Sequence, residues 1–143
     1  MIATGTIESI LYKRIKANPI FGVFPEIEKG DLTPVTEENN HDRISIGCNA
    51  SSNEDWQRSF AYVYIYVPDT KVKGVYRKND AKLIQYELEA RKMFSQITML
   101  EIDDGKLWYW ASEGNGFKKE KESETWSHVI TVKLRVKNSN FKF

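Results

Sequence analysis

The chain predicts an α+β domain with a four-stranded, mainly antiparallel sheet and two helices, in the order α-β-β-α-β-β with long polar loops. Three observations carry this. Apolar residues recur at helical spacing in two segments, around Ile7–Ile15 and Leu83–Ile97. Strict two-residue alternation marks Arg58–Val67 and His128–Val136. Turn signals such as Asn18-Pro19, Pro68-Asp69 and Asp103-Asp104-Gly105 separate the periodic stretches. At 143 residues, the whole chain, 1–143, reads as a single domain.

The first helix is expected from about Thr6 to Ala17. Ile7, Ile10, Leu11 and Ile15 form its apolar stripe, Thr4 or Thr6 its cap, and Asn18-Pro19 its stop. Phe21, Val23 and Phe24 then supply a short strand or a core plug. From Glu26 to Asp42 the chain reads as an exposed acidic excursion with Glu26, Glu28, Asp31, Glu37, Glu38 and Asp42. Ile44, Ile46 and Cys48 alternate with Ser45 and Gly47 in a strand, and Asn49–Asp55 forms the turn. In the return strand, Ala61, Val63, Ile65 and Val67 take one face, and Phe60, Tyr62, Tyr64 and Tyr66 the other.

Lys71–Lys78 reads as a basic linker. Asn79 caps the second helix, with Asp80 in its first turn. Its stripe is Leu83, Tyr86, Ala90, Phe94 and Ile97, widened by Ile84 and Leu88. Glu87 and Arg91 have the favourable i,i+4 order on a solvated side. The second strand pair uses Lys106–Ala111, with Trp108, Tyr109 and Trp110, and the strand through Ile130, Val132, Leu134 and Val136. The tail from Asn138 is expected to fray. Helices on one face leave the other open, although both faces of the Arg58–Val67 strand are apolar or aromatic.

Composition narrows the functional classes. There are 21 basic and 20 acidic residues, and phosphate-neutralising binders carry a clustered basic excess instead. Cys48 is the only cysteine, so neither an internal disulfide nor a cysteine-based zinc site is available, and a reducing cytosolic setting is the default. No stretch approaches the ~18 consecutive apolar residues of a membrane span. His41 and His128 lack metal-pair spacing and read as exposed and structural respectively. Gly114-Asn115-Gly116 precedes no helix and reads as a hinge, not a phosphate loop. The adjacent acids read as turn formers, and Cys48 as a buried structural thiol. The expectation is a protein without catalytic residues, metal or cofactor.

Two features remain. The row Phe60, Tyr62, Tyr64, Tyr66 is either a second core layer or a subunit interface, where tyrosine rings bury area while their hydroxyls stay bonded. Base stacking is a weaker reading, because this strand carries only Arg58 as a cation. The connection Ser112–Trp126 holds three lysines and four glutamates around Phe117. It is either a solvated arm or one that orders on a neighbouring subunit.

In its order of elements the chain resembles the tail terminator, or tail completion, proteins of long-tailed bacteriophages. The resemblance runs through the helix Ile7–Ile15, the pair RISIGCNASSNEDWQRSFAYVYIYV, the helix DAKLIQYELEARKMF and the pair GKLWYWASEGNGFKKEKESETWSHVITVKLRV. Gly47, Trp126 and His128 match loosely a small residue, a Trp or polar residue and a His-like position in that family. The resemblance implies a virion structural protein made in the host cytoplasm. Its partners would be its own copies, in a ring of commonly about six, the major tail tube protein and a neck or connector protein, with no membrane and no specific nucleic acid. Candidate contacts are Tyr62, Tyr64 and Tyr66 on the strand, and Phe117, Lys118, Lys119 and Trp126 on the arm. Neck completion proteins share the element order. A different class, a single-stranded nucleic-acid module, would stack bases on Tyr62, Tyr64, Trp108 and Trp110.

Overall fold

The computed structural model describes residues 4–32, 40–52, 57–94, 98–101, 107–112, 118–121 and 127–138. Helix α1, Thr4–Ala17, buries Ile7, Leu11 and Ile15, one residue per turn along a single stripe. Thr4 and Thr6, the two expected caps, both lie inside it. Asn18 ends it as expected and does more. Its Oδ1 accepts the backbone N–H groups of Ile20 and Phe21 at 2.8 and 3.0 Å, an Asx turn that redirects the chain. Its Nδ2 donates to Glu89 at 2.9 Å, tying the end of α1 to the second helix. A 3-10 turn, Phe21–Val23, follows, with Phe21 buried and Val23 exposed.

The acidic excursion begins differently from expectation. Glu26–Lys29 forms strand β1, parallel to β2, Arg43–Ser52, with Glu26 beside Arg43 and Ile27 beside Ile44. Both Glu26 and Ile27 are buried, because Ile27 completes the apolar layer under α1 and draws Glu26 in with it. Residues 33–39 lie outside the description.

Strands β2 and β3, Gln57–Pro68, pair antiparallel from Arg43↔Tyr66 to Ser52↔Gln57. The expected basic linker is a hairpin, β4 (Thr70–Val72) and β5 (Val75–Arg77), paired only with itself. Lys73 and Gly74 both have positive φ, 51° and 79°, the type I′ geometry that matches strand twist.

Helix α2, Asp80–Phe94, is capped by Asn79, whose Oδ1 accepts the Lys82 N–H at 3.2 Å. Leu83, Tyr86, Ala90 and Phe94 are buried as expected. Ile84 and Leu88 are not: both are more than half exposed, because the sheet reaches only one stripe of the helix. Ile97 lies outside the described residues.

Strands β6 (Thr98–Glu101), β7 (Leu107–Ser112), β8 (Lys118–Lys121) and β9 (Ser127–Asn138) complete the sheet. Its order is β1-β2-β3-β9-β7-β6, with β8 also pairing β9. The four strands expected from sequence, β2, β3, β9 and β7, are consecutive and antiparallel, and short strands extend them. The fold is α+β.

The connection 112–126 is therefore not simply an arm. Ser112 pairs with Leu134 and Lys118 with Thr131, so β7 and β8 pair with successive stretches of β9. Strand β7 leaves the first half of β9 without a partner on that side, and β8 satisfies those backbone groups. One core joins both helices to Ile44, Ile46, Ala61, Val63, Ile65, Val67, Ile130, Val132 and Leu134. Both helices thus cover the same face of the sheet.

Candidate functional site

The face opposite the helices is the candidate site. On β3 the core residues Ala61, Val63, Ile65 and Val67 are sealed, while Phe60, Tyr62, Tyr64 and Tyr66 between them are only half-buried. The contrast follows from the pleat: successive side chains point to opposite sides, and α1 and α2 occupy only one. Pairing places Tyr62 between Gly47 and Lys133, Tyr64 between Ser45 and Thr131, and Tyr66 between Arg43 and Val129. Gly47 brings no side chain to this face, and even an added Cβ would meet nothing there.

The aromatic row is ordered by its own contacts. Tyr62 and Tyr64 lie with ring planes within 5° of parallel and centroids 6.0 Å apart. The Arg43 guanidinium sits 4.9 Å from the Tyr66 centroid, and Lys133 Nζ 4.5 Å from that of Phe60. Such a contact contributes about 0.5–1 kcal/mol at an exposed site and more where it is desolvated, as at the buried Arg43. Burial, then the neighbouring Tyr62, pushes the Tyr64 hydroxyl above its ordinary range. It stays protonated near neutrality and can both donate and accept a hydrogen bond. A half-buried aromatic row with hydroxyls and two flanking cations is chemically suited to contact with another macromolecule.

Tyr62, Tyr64 and Tyr66 are thus brought together. Lys118 and Lys119 stand at the start of β8, paired with Thr131 and Ile130, next to the same region of β9. Phe117 and Trp126 lie outside the described residues. Arg43 and Lys133 complete the face but were not anticipated there. Their only sequence signal is register: Lys133 reaches Phe60 because β9 pairs β3 across more than sixty intervening residues.

A second polar group lies at the end of the sheet where β2 begins and β3 ends. Asp42 accepts from the Tyr86 hydroxyl at 2.7 Å and from Lys82 Nζ at 3.1 Å. Burial first, and then Asp42, raises the Tyr86 hydroxyl well above the usual tyrosine range. His128 Nδ1 is 2.6 Å from Asp69 Oδ1, whose side chain is fully buried, in keeping with a structural role. His41 is not the exposed loop residue expected: it is half-buried, with Nε2 3.1 Å from the buried Glu26. The parallel strand β1 draws Glu26 inward, and His41 meets it there. Among the described residues no cluster of three His, Cys, Asp or Glu is placed to hold a metal ion.

Cys48 is half-buried rather than fully buried. Burial, and secondarily Glu8, pushes its thiol up to about 11. The thiol is protonated at neutral pH and a poor nucleophile. No described helix is long and apolar enough to cross a membrane. No protein-family model matches the chain, and no curated protein matches it.

Proposed function

We propose that this chain is a structural assembly protein, a phage tail terminator or close neck relative. In this reading its copies close into a ring that caps the tail tube and joins it to the neck in the virion. The observation that carries the reading is the helix-free aromatic face. Tyr62, Tyr64 and Tyr66 are half-buried on the strand whose reverse side is the centre of the core. A rigid, amphipathic row on a central strand suits an interface, since tyrosine offers large contact area at low entropic cost. A head-to-tail contact that closes by rotation would cover this face in every subunit. Cys48, its thiol pushed up to about 11, is a poor nucleophile.

The test is light scattering on the chain alone and mixed with a tail tube protein of a long-tailed phage. The expected result is a ring of about six subunits, at least when tube is present. A chain that remains monomeric under both conditions overturns the proposal.

One observation favours a second reading, a single-stranded nucleic-acid module. Lys133 and the buried Arg43, from neighbouring strands, add to the single cation Arg58 that β3 itself carries. Both already cover ring faces, which leaves less surface for a base. Titration with single-stranded oligonucleotides at low salt separates the two readings, because stacking with phosphate contact predicts salt-dependent affinity and the assembly reading predicts none.

A further inference from the structure

We propose that the β4–β5 hairpin is a docking arm that grips the Val23–Asp31 strip of a second copy of this chain. This deepens the assembly reading by naming a contact, and it rests on that reading. The hairpin is a separate two-stranded sheet, and of its eight residues from Thr70 to Arg77 only Tyr76 is even half-buried. A short, exposed two-stranded hairpin is marginal in water by itself. Its surface is also unusual. Val72 and Val75 pair directly and are 44% and 55% exposed. Lys71, Lys73 and Arg77 surround them with no acidic residue between Thr70 and Arg77. Lys71 lies over the Tyr76 ring at 5.5 Å, whereas Lys73 and Arg77 have no ion pair among the described residues.

The complementary surface is on the same chain. Val23 is 77% exposed, the most open large apolar residue among those described. Glu28 and Asp31 follow it, both exposed and without ion pairs among the described residues. The acids flanking them in the excursion are occupied at home, Glu26 by His41 and Asp42 by Lys82 and Tyr86. Arm and strip are each exposed in one chain, so they do not meet within it. Apolar centre matches apolar centre, and free cations match free anions. Phosphate would use the cations but leave the valine pair uncovered, which favours a protein surface. The contact joins different patches on the two copies, the heterologous type that can close a ring.

The experiment is sedimentation of the intact chain up to about 1 mM at about 0.02 M and about 0.5 M salt, where screening differs severalfold. Two double variants are used. Lys73→Asp with Arg77→Glu reverses the arm, Asp being tolerant of positive φ. Glu28→Lys with Asp31→Lys reverses the strip. All four positions are exposed, and circular dichroism confirms the fold. The expected result is salt-sensitive self-association, weakened at least about tenfold in either variant alone and restored when the two are mixed. A wild-type chain that is monomeric at low salt overturns the arm contact. So does association that neither reversal changes; if Tyr64→Ala then abolishes it, the assembly reading stands and the arm falls. Loss of binding to a single-stranded oligonucleotide or to anionic phospholipid vesicles on arm reversal, with self-association intact, also overturns it.

Discussion

Two neighbours on one strand can decide whether the aromatic row is a core layer or a contact face. Ile65 is fully buried, with Ile44 and Ile130 opposite it on either side, also fully buried. Ile65→Ala opens a cavity among them and should cost about 3–4 kcal/mol, within the range for buried aliphatic truncation. Tyr64 is only half-buried, and its ring contact among the described residues is the parallel one with Tyr62. Losing that contact costs about 0.5–1.5 kcal/mol, and the lower strand preference of Ala adds up to about 1 kcal/mol. Tyr64→Ala should therefore cost about 1–2 kcal/mol, roughly half the Ile65 value or less. Urea denaturation followed by tryptophan fluorescence measures both, and an unchanged slope keeps the comparison valid. The same variant should weaken assembly by about thirtyfold, since a central interface tyrosine carries about 2 kcal/mol or more. Equal destabilisation by the two substitutions would refute the argument and make the row a second core layer.

Other perturbations probe the supports of the site. Tyr86→Phe keeps the ring against Phe21 and Phe24, at centroid distances of 6.0 and 5.0 Å, but removes the 2.7 Å bond to Asp42. It should cost about 1.5–2 kcal/mol, and a neutral result in thermal unfolding would show that Lys82 alone satisfies Asp42. Asn18→Ala loses the Asx turn and the link to Glu89 and should cost about 2 kcal/mol by denaturant titration. Cys48, raised to about 11 from an ordinary 9.0, favours folding while the thiol is protonated. That contribution is fully present below pH 9 and is lost as pH climbs through about 11. Alkylation of the native chain should accordingly be slow at pH 8 and accelerate only in strongly alkaline buffer; a rate matching free cysteine at pH 8 contradicts the placement.

Much of this architecture was legible from spacing alone. The stripes Ile7–Leu11–Ile15 and Leu83–Tyr86–Ala90–Phe94 became buried helix faces because a 3.6-residue period leaves one side facing the sheet. The alternation in Arg58–Val67 separated the core side from the aromatic side before any partner strand was known. Asn18 and Asn79 marked helix ends because their side chains satisfy backbone groups locally. These are local causes, and they act within a few residues.

The remaining features depended on what each segment met. Glu26 was one acid among six until a parallel strand buried it beside His41. Ile84 and Leu88 looked like core and became surface, because how wide a stripe α2 buries is set by the sheet beneath it. The Lys71–Lys78 linker was a hairpin whose Lys-Gly turn carries a weaker signal than Asn-Gly. Arg43 and Lys133 reached the aromatic row through registers between strands far apart in the chain. By itself the sequence determined the apolar stripe of α1, the two faces of β3 and the helix ends marked by Asn18 and Asn79. Only the tertiary structure decided that both helices share one face and leave Tyr62, Tyr64 and Tyr66 on the other. Periodicity specifies a face, and long-range pairing specifies what covers it.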